Sequence, residues 1–222
     1  MPAAPDAGWE SRLYRAQSWI QRAARLRRPG DTDGRFIFYW IAFNALYGQA
    51  KYLAEDWQSE EASIHTFLGS MGRLGRGRRG LREMLARVDL ELVELLRSQF
   101  LCKEYWTDGF TDAVDDNLHA AETTVSGAMK GGESLVALLI RVFDRLYVLR
   151  IQLVHGCAKD GSSANRASLE PAVAVMARLV PLFWATMKQA GAGEEWGALS
   201  YPAWGRDGHP EERRTRCFVI RH

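Results

Sequence analysis

The sequence contains few cysteines and no metal-binding pattern. Three cysteines, Cys102, Cys157 and Cys217, stand far apart in a chain of 222 residues. They form no C-x-x-C pair, and no histidine is placed to complete a zinc site with them. Because this pattern is typical of reduced thiols, we expect a cytoplasmic protein that carries no metal and no cofactor.

A strong net charge and long uncharged apolar runs are also missing. The formal net charge is only +2, so charge alone does not indicate a nucleic-acid-binding domain. Charges interrupt the apolar stretches within the length of a membrane span, which argues against a transmembrane helix. The acidic segment "MPAAPDAGWE" lacks the basic and apolar parts of a signal peptide. We therefore expect no membrane partner.

The alternation of apolar and polar residues that marks a β-strand is absent before residue 190. Helical spacing recurs instead, most clearly at Leu135, Leu139, Val142, Leu146, Leu149 and Leu153. The hydrophobic content of 47% suits one globular core. The sequence predicts an all-α fold: an antiparallel helical bundle of about five to seven helices over residues 1–190. A short irregular C-terminal tail, residues 191–222, would follow and pack on the bundle or on a partner, with "CFVIR" as a strand or docking segment.

Two further helices are predicted from local signals. The aromatic segment "RFIFYWIAFNALYG" belongs to a helix from about Arg35 to Trp57, and its apolar residues on nearly every face predict the buried centre of the domain. A last long helix should extend to about Ala190, with Ser168 as its cap and Pro171 in its first turn.

Glycine and arginine alternate in "GSMGRLGRGRRGLR", which predicts a mobile basic loop over about residues 69–80. Arginine supplies 24 of the 29 basic residues of the chain, a bias that suits phosphate contacts but that genomic base composition explains equally well. The candidate RNA-binding residues are Arg73, Arg76, Arg78, Arg79 and Arg82. The alternative is a solvated insertion without a ligand.

The segment "LRIQLVHG" contains the pattern Arg150-x4-His155. About 1.6 matches of an arginine and a histidine with four to six intervening residues are expected by chance in this composition, and Arg216 with His222 is a second match. Arg150 and His155 differ from that second match because they lie at the end of the strongest helical pattern, beside the glycine stop Gly156. A structural interpretation is also open, in which Arg150 complements the helix dipole and His155 only ends the helix.

Two segments resemble the HEPN superfamily, and within it the Apea-like HEPN type: "FYWIAFNALYG" at residues 38–48 and "RLYVLRIQLVHG" at residues 145–156. The resemblance spans roughly residues 10–190. It implies a helical bundle that forms a homodimer and brings two such motifs together at a cleft. It also implies a metal-independent endoribonuclease acting on RNA, as a toxin or defence effector with an antitoxin or another protein partner.

The same resemblance assigns roles to three residues. His155 would be the general acid or base, Arg150 would stabilise charge on the scissile phosphate, and Asn44 would support them. These roles suit the chemistry, because histidine titrates near neutrality and a guanidinium keeps its charge. A buried Asn44 that satisfies backbone groups is the structural alternative. His65 and His119 are isolated in the sequence, so we place them on helix surfaces.

Two features complicate the assignment. Five residues of ideal helix turn through about 500°, so Arg150 and His155 point about 140° apart. Either His155 lies in an unwinding last turn, or each motif works with its copy in a second subunit. In addition, Ile151 follows the motif arginine, where the superfamily often has a polar residue such as Asn. The alternatives are a catalytically silent HEPN module that binds RNA, nucleotide or a partner protein, and an unrelated α-helical regulator or scaffold.

Overall fold

The computed structural model describes residues 7–26, 31–48, 60–131, 134–157, 166–197 and 199. These residues form ten α-helices and one turn of 3₁₀-helix, and no strand occurs among them. The helices are α1 (Ala7–Arg25), α2 (Thr32–Tyr47), α3 (Glu60–Arg73), α4 (Gly75–Leu85), α5 (Asp89–Arg97), α6 (Lys103–Asp108), α7 (Asp112–His119), α8 (Ala121–Lys130), α9 (Leu135–Val154) and α10 (Arg166–Ala190), with the 3₁₀ turn at Gln99–Leu101.

The all-α prediction is confirmed, but the predicted number of five to seven helices is too low. One cause is visible in the leucine-rich segment "LREMLARVDLELVELLRSQFL", in which helical spacing of apolar residues continues without a break. A turn at Ala86–Val88 nevertheless divides it into α4 and α5, although Leu81, Val88 and Leu92 are all buried. Apolar spacing therefore indicates which side chains enter the core, but it does not indicate a short turn that keeps the same spacing.

The centre of the bundle is an aromatic cluster around Phe43 of α2. Its ring centroid lies 4.6 Å from that of Phe143 on α9 and 6.0 Å from that of Phe183 on α10. All three side chains are fully buried, which confirms the aromatic segment as the centre of the domain. The helix itself ends at Tyr47, with Gly48 as its C-cap, and so is shorter than predicted. Residues 49–59 lie outside the described part of the chain.

α3 and α9 run antiparallel and fix the geometry of the candidate site. Glu60, at the start of α3, lies near Arg150, at the end of α9. Further along α3, His65 contacts Asp144 of α9. Gly72, near the end of α3, approaches Val136, near the start of α9. The start of α3 is therefore at the same end of the bundle as the Arg150-x4-His155 motif.

The prediction of a loop over residues 69–80 is wrong. α3 continues to Arg73 and α4 begins at Gly75, so only Leu74 separates the two helices. The glycines permit close packing: a Cβ at Gly72 would come within 2.1 Å of Val136 Cγ2, and one at Gly80 within 2.9 Å of Leu182 Cδ1. Tertiary contacts with α9 and α10 thus outweigh the low helix propensity of glycine.

α10 is the longest helix, and by length and composition it could cross a membrane, which the sequence argument missed. The bundle accounts for its apolar character, since 56% of the apolar window is buried against other helices. The helix has already begun at Arg166, so the prediction of Ser168 as its cap is wrong. Ser168 instead shares a hydrogen bond of 3.2 Å with the Ser98 hydroxyl, and Pro171 lies beyond the first turn.

A buried arginine joins the segment after α10 to the rest of the bundle. Arg12 of α1 is fully buried and donates hydrogen bonds to the carbonyl oxygens of Leu46, Gly48 and Gly197, the first at 3.3 Å and the last at 2.9 Å. Trp196 is also buried. Residues 191–197 therefore pack on the bundle. The remaining tail predictions, which concern "CFVIR" and the Arg216–His222 match, lie outside the described residues.

Candidate active site at the end of α9

Arg150 is held in a polar cluster between α2, α3 and α9. Its Nη1 lies 3.9 Å from Glu60 Oε2, and its guanidinium lies 5.8 Å from the ring centroid of Tyr147. The Glu60 carboxylate accepts hydrogen bonds from the hydroxyls of Tyr47, at 2.8 Å, and Tyr147, at 3.3 Å. We call these four residues, Tyr47, Glu60, Tyr147 and Arg150, the Glu60 cluster. No local sequence pattern indicates this cluster, because its members come from three separate helices.

Burial raises the pKa of both tyrosines in the Glu60 cluster. Desolvation is the largest cause that raises the pKa of Tyr47 far above its ordinary value, and the nearby Glu60 carboxylate raises it further. The same two causes, in the same order, raise the pKa of Tyr147. Both phenols are therefore protonated donors at neutral pH. Arg150 opposes these shifts through its positive charge.

His155 has a different environment although it is only five residues away. It is the C-cap of α9, with φ −88° and ψ 8°, and its backbone N–H donates to the Ile151 carbonyl at 3.0 Å. The side chain is exposed, and its ring forms no hydrogen bond or ion pair with the described residues. The imidazole is therefore available to a ligand or to a second subunit.

The two motif residues lie on different faces of α9. Arg150 lies on the face of Tyr147, toward Glu60, whereas the helical repeat aligns His155 with Val148 and Gln152. Regular helix continues through Val154, so unwinding before His155 does not reduce the separation between the two residues. Within one chain, the structure does not bring Arg150 and His155 to the same face.

Asn44 is an exposed residue of α2, so its interpretation as a buried residue that satisfies backbone groups is wrong. Helical spacing puts it on the face of Trp40 and Tyr47. The Trp40 ring lies 6.2 Å from that of Tyr147, and Tyr47 contacts Glu60. Asn44 thus borders the Glu60 cluster, although no hydrogen bond links its side chain to Arg150 among the described contacts.

The predicted RNA-binding arginines lie at the other end of α9. Arg73 ends α3 and donates to Ser70 Oγ at 2.7 Å, and Arg79 pairs with Glu83 at 3.0 Å on the exposed surface of α4. Arg82 is also exposed, while the side chains of Arg76 and Arg78 lie outside the described part.

The length of α9 separates the surface that carries Arg73, Arg79 and Arg82, which we call the basic surface, from the Arg150-x4-His155 motif. Gly72 packs against Val136, and fourteen residues of α9 separate Val136 from Arg150, which is about 21 Å of helix. One chain therefore does not combine the basic surface and the motif in one site.

An exposed aromatic patch lies beside the last turn of α9, and the sequence analysis missed it. It consists of Phe100, Tyr105 and Trp106, and we call it the Phe100 patch. The Phe100 carbonyl accepts hydrogen bonds from Gln152 Nε2, at 2.8 Å, and from Trp106 Nε1, at 2.9 Å. Phe100 and Trp106 are 47% and 60% exposed, and Val154 of α9 is 53% exposed. The aromatic density of "FLCKEYWTDGF" was the available signal.

A polar pocket of about 290 Å³ lies against the middle of α9, and the sequence analysis also missed it. His65 and Asp144 line it, with 2.7 Å between His65 Nε2 and Asp144 Oδ1. His65 is thus not isolated, since its partner lies on another helix. His119 lies on the exposed surface, as predicted. In the part of the chain that the structure describes, no group of three His, Cys, Asp or Glu residues could hold a metal ion.

Comparison of the chain with family models, with curated proteins and with solved structures finds no match. The resemblance to the HEPN superfamily therefore depends on the two segments in α2 and α9. Any function has to be argued from the residues at the end of α9 and from the surfaces around them.

Proposed function

We propose that this protein is a metal-independent endoribonuclease of HEPN type that acts as a homodimer. The observation that carries the proposal is the exposed imidazole of His155 at the end of α9, which bonds to no described side chain and follows by five residues an arginine that lies beside Glu60. A histidine available for proton transfer and a fixed guanidinium are the two groups that cleavage at a ribose 2′-hydroxyl requires.

In the proposed reaction, His155 accepts the proton of the 2′-hydroxyl, and the 2′-oxygen attacks the adjacent phosphorus. The bond from phosphorus to the 5′-oxygen breaks, and an imidazolium returns a proton to that oxygen. The products are a 2′,3′-cyclic phosphate and a 5′-hydroxyl end. Arg150 donates hydrogen bonds to the non-bridging oxygens, where negative charge increases in the transition state. DNA lacks the nucleophile and is not a substrate.

A second copy of the chain would complete the site. Arg150 and His155 lie about 140° apart around α9, so a two-fold axis near the end of the helix can pair Arg150 of one subunit with His155 of the other. Exposed apolar side chains support an interface here, because Phe100, Trp106 and Val154 all lie at this end of the bundle and are about half exposed or more. Such a patch is typical of a surface that a partner covers.

The test is cleavage of single-stranded RNA in the presence of EDTA. His155→Ala and Arg150→Ala should each slow cleavage by about 100-fold or more, as loss of a general acid–base group or a charge-stabilising group does. His119→Ala and Arg97→Ala are matched controls at exposed positions and should retain activity. Circular dichroism and light scattering would verify the fold and the dimer. Arg150→Lys keeps a cation beside Glu60 and provides a second variant if Arg150→Ala fails to fold.

A mixing experiment tests whether the site is shared between subunits. When Arg150→Ala and His155→Ala chains are mixed and allowed to exchange, each mixed dimer regains one site with both residues intact. Random pairing makes half of the dimers mixed, so activity should return to about a quarter of the wild-type value. No recovery, with exchange verified, would show that each chain uses its own two residues.

Other outcomes would overturn the proposal. Cleavage that persists in both variants would exclude Arg150 and His155 as the active site. No cleavage of any RNA, combined with tight RNA or protein binding, would favour the silent HEPN module, consistent with Ile151 beside the motif arginine. A role as a toxin predicts that expression of the wild-type protein arrests growth and that His155→Ala does not.

A further inference from the structure

The polar pocket beside α9 lies between helices that are distant in the sequence. His65 comes from α3, Lys103 from α6, and Arg141, Asp144 and Arg145 from α9. The volume of about 290 Å³ is near the lower end of the range for small-molecule sites, so the pocket fits a compact ligand. None of these residues belongs to the Glu60 cluster.

Only some of the charged side chains that line the pocket form ion pairs with each other. Lys103 Nζ lies 3.0 Å from Glu61 Oε1, and Asp144 is paired with His65. Among the described residues, Arg141 and Arg145 have no carboxylate within ion-pair distance, although both are only partly exposed. The two guanidiniums therefore form no direct ion pair, although Glu61, Glu104 and Asp144 equal in number the three permanent cations of the lining.

Glu104 is the third carboxylate that lines the pocket, and its hydrogen-bond partner is a thiol rather than an arginine. Its Oε2 accepts a hydrogen bond from the Cys102 thiol at 3.0 Å. This bond is the largest cause that lowers the pKa of Glu104, and the positive charge of Arg145 contributes to the same shift. Arg145 thus lies near Glu104 without forming a direct pair with it.

Neutral partners hold Arg141 in place. Its Nη1 donates to Thr124 Oγ1 at 3.1 Å, and its Nη2 donates to Asn117 Oδ1 at 3.2 Å. These acceptors orient the guanidinium but do not neutralise it. A fixed arginine loses little conformational freedom when a ligand binds, which is a property of preorganised anion sites.

We propose that this pocket binds the phosphate group of a small phosphate ester. Arg141 and Arg145 supply positive charge and several N–H donors, the arrangement that recognises phosphate oxygens. The Asp144 carboxylate accepts the N–H of His65 Nε2, which fixes the orientation of the imidazole at the edge of the pocket. The site is separate from the proposed nuclease centre and does not depend on it.

The test is calorimetric titration of the full chain with inorganic phosphate and with phenyl phosphate, and phenol serves as the uncharged control. Saturable binding of phenyl phosphate at about 1 mM or tighter is expected, with no binding of phenol. Arg145→Gln and Arg141→Gln should each weaken binding about tenfold, the usual effect of removing one charge-assisted hydrogen-bonding group. Arg97→Gln, an exposed arginine paired with Glu122, is the matched control.

Several results would decide the proposal. Arg145 forms no hydrogen bond with another described side chain, so Arg145→Gln stays informative even if Arg141→Gln destabilises the fold. No saturable binding, or equal affinity in wild type and both pocket variants, would overturn the phosphate site. Displacement of phenyl phosphate by a short RNA would identify the phosphate as part of a nucleic-acid backbone, and failure of RNA to displace it would indicate a free phosphate ester.

RNA cleavage assays separate this site from the active site at the end of α9. Cleavage by Arg145→Gln should remain close to wild type, while His155→Ala should bind phenyl phosphate normally. Failure of either proposal would therefore leave the other one standing.

Discussion

Arginines of α9 lie near a histidine in two places, and the two places differ in what makes them recognisable. At its end, Arg150 and His155 are five residues apart in the sequence but lie on different faces of the helix. Near its middle, Arg145 and the His65–Asp144 pair line one pocket, although 79 residues separate His65 from Asp144. A short motif depends only on how many residues separate its members in the sequence, whereas the pocket exists only because α3 packs antiparallel to α9.

The two regions also differ in how strongly their polar groups are held. The Glu60 cluster contains the buried Tyr47 and a half-buried arginine, so its hydrogen bonds contribute to stability. The His65–Asp144 pair is 38% and 50% exposed, and solvent weakens such a pair. The end of α9 therefore surrounds Arg150 with partly buried polar groups, while the pocket keeps its polar groups accessible to a ligand.

Removal of the two carboxylates should show this difference most strongly. Glu60→Ala is expected to lower the free energy of unfolding by about 2–3 kcal/mol, because it leaves the buried Tyr47 hydroxyl without its acceptor. Asp144→Ala should cost at most about 1 kcal/mol, the usual limit for an exposed ion pair. Urea denaturation followed by circular dichroism measures both, with Glu83→Ala of the exposed Arg79–Glu83 pair as the control. Equal losses in the two variants would contradict the comparison.

The sequence predicted the core more completely than it predicted either site. Apolar spacing identified the buried leucines of α9, and Gly156, with φ +69°, follows the helix where a stop was expected. Each of these signals is local, since one helix face and one glycine are enough to produce it. The Glu60 cluster combines α2, α3 and α9, and no local pattern reports which helices will be neighbours.

For the glycines of α3 and α4, a local pattern predicted a loop where the structure has helices. Glycine density in the sequence indicated a loop, because helix propensity is a weak prior that tertiary contacts can override. The approach of Val136 to Gly72 and of Leu182 to Gly80 supplies those contacts. A glycine that breaks a helix and a glycine that lets two helices approach are indistinguishable in the sequence. Only the packing shows which role a given glycine has.

Alkaline pH should lower the free energy of unfolding through the Glu60 cluster and not through the polar pocket, and this effect should be smaller than that of Glu60→Ala. The raised pKa of Tyr47 means that the unfolded chain loses this proton near pH 10 while the folded chain retains it, so stability is present below about pH 10 and falls as pH rises. The slope is about 1.4 kcal/mol per pH unit for one such phenol, and Tyr147 adds to it. Tyr47→Phe should reduce the slope, measured as unfolding free energies between pH 9 and about 11.

Two matched variants make the pH result specific to the end of α9. Tyr14→Phe alters a phenol that is 77% exposed and should leave the slope as in wild type. Asp144→Ala should also leave it unchanged, because the polar pocket holds no tyrosine among its lining residues. A slope in Tyr47→Phe equal to that of wild type would show that the Glu60 cluster does not control alkaline stability.

The smallest expected effect concerns the arginines at the far end of α9. Arg79 and Arg82 belong to α4, near the start of α9, and Val136 at that start is about 21 Å of helix from Arg150. Arg79→Ala and Arg82→Ala should therefore change cleavage at saturating RNA by less than about twofold. If these arginines contact RNA phosphates, each variant should still weaken binding and reduce its salt dependence by about one phosphate contact. Binding measured across salt concentrations tests this, and Arg97→Ala is an exposed control. Wild-type affinity and salt dependence in both variants would identify this surface as a solvated helix face.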